Sequence, residues 1–131
     1  MFGNKKYLKN FRGKNNGFSK NGNTLCYGDY GLRSISWGNI NSNQIESGRK
    51  VISRNIKKSG KLWIRIFPDR SYTKKPVDVR MGNGKGDIIF YVFYIKPGKI
   101  IYEIKGLNKI FSLKILKLAS FKLPLKTSFI Y

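Results

Sequence analysis

VDVRMGNGKGDIIFYVFYI, residues Val77–Ile95, reads as two strands joined by a bare, cationic tip. Val77 and Val79 alternate in a short run, which predicts a strand entering the tip. Asp87–Ile95 is rich in aromatic and β-branched residues, which predicts a long strand leaving it. That run falls far short of the ~18 apolar residues a membrane span needs. Between them RMGNGKG, Arg80–Gly86, alternates three glycines with Met81, Asn83 and Lys85, and it contains no acid. A β-hairpin with this tract at its tip is expected. Further on, KPGK (Lys96–Lys99) is a tight-turn signal, and IIYEI (Ile100–Ile104) is expected to pair back on the long strand.

Working towards the N-terminus, DRSYTKKP (Asp69–Pro76) is expected to be a loop. KLWIRIFP alternates Leu62, Ile64 and Ile66 against Trp63, Arg65 and Phe67, which predicts a strand ended by Pro68. NSNQIESGRKVISRNIKKSG is the clearest helix. Asn41 is a good N-cap with Gln44 three residues on, and Ile45, Gly48, Ile52 and Ile56 form an inward stripe. Gly60 suits a left-handed C-terminal cap. TLCYGDYGLRSISWG (Thr24–Gly38) reads as one or two strands broken at Gly28 and Gly31. After Gly106 a second helix is expected, with Leu107, Ile110, Phe111, Leu118 and Phe121 inward and Lys114 and Lys117 outward. Pro124 ends it, and LKTSFIY supplies a last strand. The order predicts a single compact α+β domain over residues 24–131, with a mixed or antiparallel sheet and two helices packed on it.

Lys and Arg total 27 against 6 Asp and Glu in 131 residues, a formal charge of +21. Such a charge repels itself unless a polyanion neutralises it, so nucleic acid is the leading partner and an anionic membrane surface the second. The chain has no histidine and one cysteine, Cys26, which excludes an internal disulfide and a cysteine or histidine metal cluster. The acids Asp29, Glu46, Asp69, Asp78, Asp87 and Glu103 are dispersed, with no spacing that suggests a catalytic pair. No catalytic residue, metal, cofactor or small-molecule substrate is expected, and the chain is not expected to be an enzyme. Residues 1–23 carry six cations and no acid, without a helical or strand period. They form an N-terminal arm expected to order on RNA, with Tyr7, Phe11 and Phe18 as stacking groups. Lys50, Arg54, Lys57 and Lys58 share the outer face of the first helix with no glutamate to pair at i+4, which suggests a phosphate-facing surface.

A phosphate-cradling P-loop needs Gly-Lys followed by Ser or Thr and a helix, but Lys85 is followed by Gly86, Asp87 and a strand. The dinucleotide fingerprint fails on spacing and context alike. A merely floppy tip explains the glycines but not Arg80 and Lys85. A finger that enters a phosphate-walled crevice explains both, because side chains are absent where backbones touch and cations present where charge is dense.

YGDYGL (Tyr27–Leu32), QIESGR (Gln44–Arg49), GKLWIRIFPD (Gly60–Asp69), TKKP (Thr73–Pro76), RMGNGKG (Arg80–Gly86), KPGKIIYEI (Lys96–Ile104) and KLPLKT (Lys122–Thr127) fall in one order along the chain. Together they resemble the universal large-subunit ribosomal protein family L-sixteen, called L-ten-e in archaea and eukaryotes. The resemblance implies a hammerhead-like β motif and a place in the large subunit. That place is near the peptidyl-transferase centre and the base of the A-site finger. It implies rRNA, the tRNA acceptor arm and elbow, and neighbouring ribosomal proteins as partners, with no membrane. The loop Arg80, Met81, Gly82, Asn83, Gly84, Lys85, Gly86 would face tRNA. Lys5, Lys6, Lys9, Arg12 and Lys14 of the arm and Lys50, Arg54, Lys57 and Lys58 of the helix would lie on rRNA. Leu8, Asn16 and Asn83 depart from positions that are usually basic in the family. These departures, with the abundance of Lys, Asn, Ile, Tyr and Phe, suggest an A- and T-rich organellar genome and a mitochondrial ribosome, with a plastid ribosome as the alternative. A free RNA-binding regulator or ribosome-assembly factor using the same domain is the alternative function.

Overall fold

The computed structural model describes residues 8–56 and 59–131. The elements run β1 (Tyr30–Ser34), β2 (Gly38–Asn41), α1 (Ser42–Ile56), β3 (Lys61–Ile64), β4 (Arg70–Lys74), β5 (Asp87–Ile95), β6 (Ile100–Lys105), α2 (Lys109–Ser120) and β7 (Thr127–Ile130). They build two antiparallel sheets, one ordered β3-β6-β1-β7 and the other β2-β5-β4. This is an α+β domain, as expected.

The first helix forms as its sequence dictates. The Gln44 N–H donates to Asn41 Oδ1 at 2.9 Å, and the Asn41 N–H donates back to Gln44 Oε1 at 3.1 Å, a reciprocal capping box. Ile45, Gly48, Ile52 and Ile56 are its buried residues. They meet β6, whose residues Ile100–Ile104 are all buried, and the Tyr102 hydroxyl donates to the Ile45 carbonyl at 2.8 Å. Burial of that phenol pushes its pKa upward.

Several expectations are overturned. DRSYTKKP is not all loop, because Arg70–Lys74 is β4, paired through Tyr72 and Phe90 with β5. Conversely, Val77 and Val79 lie in no strand; they belong to the long β4–β5 connection, and Val77 is fully open to solvent. With both edges of β5 taken by β2 and β4, Ile100–Ile104 cannot pair back on it. The KPGK turn instead carries the chain across to the other sheet, where β6 sits between β1 and β3. Gly31 lies inside β1 rather than breaking it. Gly60 is not a left-handed cap. A Cβ there would stand 2.7 Å from the Lys105 carbonyl oxygen, so glycine serves close approach, and Gly106 carries the positive φ of +87°.

The second helix is capped by Asn108, whose side chain accepts from the Phe111 N–H, but it turns the opposite face inward. Ser112, Ile115, Leu116 and Ala119 are buried, while Ile110, Phe111, Leu118 and Phe121 are exposed. Apolar residues lie on both sides of this helix. The side holding the small Ser112 and Ala119 wins because it lets α2 come close to α1 and β1.

Candidate nucleic-acid interface

Of the acids, Glu103 is the one whose side chain is fully buried among the described residues, and it organises the entry to β1. Its carboxylate accepts from the N–H groups of Tyr27 at 2.8 Å and Gly28 at 2.9 Å, with Cys26 at 3.3 Å, and it pairs with the Arg65 guanidinium. Burial alone pushes the Glu103 carboxyl up, but the three N–H groups and Arg65 together hold it below its ordinary value. Arg65 also lies 5.1 Å from the centroid of the Tyr27 ring, which stacks on Trp63 at 6.0 Å. One carboxylate therefore fastens the start of the YGDYGL motif, Tyr27 and Gly28, to the four-stranded sheet, and the β1 ladder holds the rest.

The three-stranded sheet carries the opposite chemistry. Tyr72 and Phe90, directly across from each other on β4 and β5, stack at 4.9 Å with 4° between their planes. Arg12 of the arm lies 5.3 Å from the Tyr72 ring centroid, and Arg70 lies 5.1 Å from that of Tyr94. Lys14, Asn15, Asp69, Arg70, Tyr94 and Lys96 line a cleft of about 260 Å³ between arm and sheet. The arm is seated by hydrogen bonds. Asn10 N–H donates to Ser71 Oγ at 3.3 Å, Asn15 Nδ2 to the Ile95 carbonyl at 2.9 Å, and Ser19 N–H to the Pro97 carbonyl at 2.9 Å. Trp37 Nε1 donates to the Gly17 carbonyl at 2.9 Å.

The loop joins this surface. Lys85 Nζ donates to the Asn10 carbonyl and stands 5.9 Å from the Phe11 ring centroid, while Lys9 Nζ donates to the Lys85 carbonyl at 3.0 Å and stands 3.7 Å from Asp87. Gly82, Asn83 and Gly84 carry positive φ of 106°, 55° and 78°, a run that glycine and asparagine adopt most readily. A Cβ on Gly82 or Gly84 would meet nothing, whereas one on Gly86 would stand 2.6 Å from Lys74 backbone. Tip and neck thus use glycine for different reasons. Arg80 and Met81 are exposed, and Lys75 Nζ donates to the Gly82 carbonyl across the loop.

Of the expected site residues, Lys9, Arg12, Lys14 and the loop come together on the three-stranded sheet. Lys50 and Arg54 stand exposed on α1 instead. Lys5, Lys6, Lys57 and Lys58 lie outside the described residues, as does Tyr7. Glu46 does precede Lys50 by four residues, but its carboxylate goes to Arg49, with Nε at 2.7 Å and Nη2 at 2.6 Å. That hydrogen bonding holds the Glu46 carboxyl below its ordinary value. Sequence reasoning missed Arg70, Tyr72 and Tyr94. The alternation of Arg70, Tyr72 and Lys74 was the signal for the first two, hidden by taking Asp69–Pro76 for a loop; Tyr94 lay in a segment read rightly as a strand but taken only for core.

No group of three or more Cys, Asp or Glu side chains could hold a metal among the described residues, and none of their helices is long and apolar enough to cross a membrane. The fold and this surface define a small cationic α+β domain built to lie against a polyanion. The chain belongs to the ribosomal protein L16p/L10e family, whose model matches residues 2–130. It is 45% identical over 126 residues to the large ribosomal subunit protein uL16 of Delftia acidovorans, covering 96% of this chain and 91% of that one. It is likewise 45% identical over 125 residues to the uL16 of Xanthomonas campestris, covering 95% and 91%. Membership makes the chain a structural component of the large ribosomal subunit, not an enzyme. These relatives are bacterial, which overturns the expected mitochondrial or plastid placement and points to a bacterial ribosome. The Lys, Asn and Ile bias therefore does not specify a compartment.

Proposed function

We propose that the arm, the outer face of the three-stranded sheet and the α1 cations bind large-subunit rRNA near the peptidyl-transferase centre and the base of the A-site finger. The loop Arg80–Gly86 projects from that footing towards the tRNA acceptor arm and helps position tRNA. The observation that carries this reading is the coupling of loop to arm. Lys85 is held by Asn10 and Phe11, and Lys9 by Lys85, so RNA that grips the seated arm also sets the loop. Arg80 is left exposed on the same loop, a cation available to phosphate. Rings partnered by Arg12 and Arg70 supply the flat, charged surface on which unpaired bases stack. The chain would perform no chemistry itself; it would shape and steady an RNA site.

The test is Arg80→Ala in assembled subunits. Elongation should slow by about tenfold while subunit content stays near wild type. Equal loss of elongation and assembly would make the loop merely architectural. Sedimentation serves as a second check. A pool of the chain that never travels with large subunits would favour a free regulator.

A further inference from the structure

We propose that the outer face of α2 is a docking surface for a neighbouring protein, one that presents an apolar patch rimmed by carboxylates. Ile110 is 82% exposed and Phe121 73%, with Phe111 at 39% and Leu118 at 42%. At 100° per residue, Ile110, Lys114, Lys117 and Phe121 fall along one line of the helix, and Phe111 and Leu118 lie along its flank. Single apolar residues scattered on a surface need no explanation, but four large ones on one face of a 12-residue helix and its C-cap residue do.

The charge around the patch selects the partner. Lys114, Lys117 and Lys122 are exposed beside it, and Lys109–Lys122 contains no acid. Lys109 Nζ stands 4.0 Å from the Tyr131 ring centroid at the start of the helix. The complement of such a face is an apolar centre edged with Asp and Glu. RNA fits it poorly. On the three-stranded sheet the cations lie over aromatic planes that a base can share. Phe111 and Phe121 are rings, but among the described residues no cation stands over either, and Ile110 and Leu118 offer no ring, donor or acceptor, so burial of this patch stabilises chiefly against apolar matter. A large-subunit protein sits among other ribosomal proteins, so such a partner is at hand.

The test places a photo-crosslinker at the patch, as Phe121→p-benzoylphenylalanine in the full chain assembled into purified large subunits. Irradiation should give a ribonuclease-resistant protein–protein adduct whose partner peptide carries apolar residues flanked by Asp or Glu. An adduct that ribonuclease dissolves, or no adduct although the chain is in the subunit, overturns the proposal. In a second arm, Ile110→Lys combined with Phe121→Lys should leave this chain in the subunit but lower the cross-linked partner by about tenfold. An undiminished partner overturns the proposal, and so does loss of this chain itself, which would assign the face to rRNA. Phosphatidylglycerol vesicles that float the free wild-type chain but not the double variant would assign it to a lipid surface instead. Arg80→Ala should leave the adduct unchanged, so the loop reading and this one fail separately.

Discussion

The two sheets of this protein handle charge in opposite ways. In the four-stranded sheet, β6 buries five residues in succession and admits a charge among those five only as the fully satisfied Glu103, matched by three N–H groups and Arg65. In the three-stranded sheet, β5 buries little beyond Val92 and Ile95, and its cations lie over rings at the surface. A net charge of +21 is compatible with a stable fold because the cations stay out of the core: on the first sheet Lys61 and Lys105 are exposed and Arg33 is half-buried, and on the second Arg70 and Lys74 are exposed. One sheet makes the domain stable. The other carries the cation-and-ring surface proposed above to meet RNA.

The sharpest way to break this contrast is Glu103→Gln. It removes the one carboxylate paired with Arg65 among the described residues and weakens the bonds to Tyr27 and Gly28. We expect a loss of about 3 kcal/mol at pH 7, read from the urea midpoint, because an unpaired charge remains. The pH dependence has a defined sign. The folded Glu103 carboxyl titrates below its ordinary value. Its contribution is therefore complete above an unfolded pKa of about 4.3, and it drains away as pH falls through the folded value. Wild type and variant should thus differ fully at pH 7 and converge in acid. A gap that stayed constant to pH 3 would remove the carboxylate from its assigned role.

Within the three-stranded sheet the neck and tip of the loop separate packing from backbone strain. At the neck, Gly86→Val would drive a Cβ into the backbone of Lys74 and Lys75, which cannot yield without opening the β4–β5 hairpin. A cost of about 2 kcal/mol is expected. At the tip, Gly84→Val meets empty space and is strained only by its φ of +78°, for about 1 kcal/mol. Urea midpoints of the two variants should fall in that order. The reverse order would mean that the tip, not the neck, holds the hairpin.

What could be read in advance follows the same division. The capping box of Asn41 and Gln44 and the stripe Ile45, Gly48, Ile52, Ile56 were legible because each depends on residues within one helix. The inward face of α2 was not, since both faces are apolar and only α1 and β1 choose between them. The partner of β6 was hidden for a related reason. A turn such as Lys96–Lys99 looks the same whether it closes a hairpin or crosses between sheets, and the choice depends on which edges of β5 are already filled. The arm, the loop cations and the glycine run were visible as composition. Their attachment, Lys85 to Asn10 and Phe11, was not, because it spans 75 residues of chain.

The smallest expected effect falls on the cations that stand apart from this attachment. Lys50→Ala with Arg54→Ala changes two exposed side chains whose neighbouring acid, Glu46, is already held by Arg49. Stability should therefore shift by no more than about 0.5 kcal/mol. If α1 lies on rRNA, each cation neutralises a phosphate and releases a counterion, with a slope of about 0.7–0.9 in log K against log salt per contact. The double variant should flatten the slope of rRNA-fragment binding by about 1.5, and affinity should fall mainly at low salt. Arg12→Ala removes one cation from the Tyr72 ring, so its slope change should be about half as large, accompanied by weaker stacking. Should the α1 variant leave the slope untouched while Arg12→Ala lowers it, the RNA footprint would be confined to the arm and the three-stranded sheet. The α1 cations would then act only through solvation.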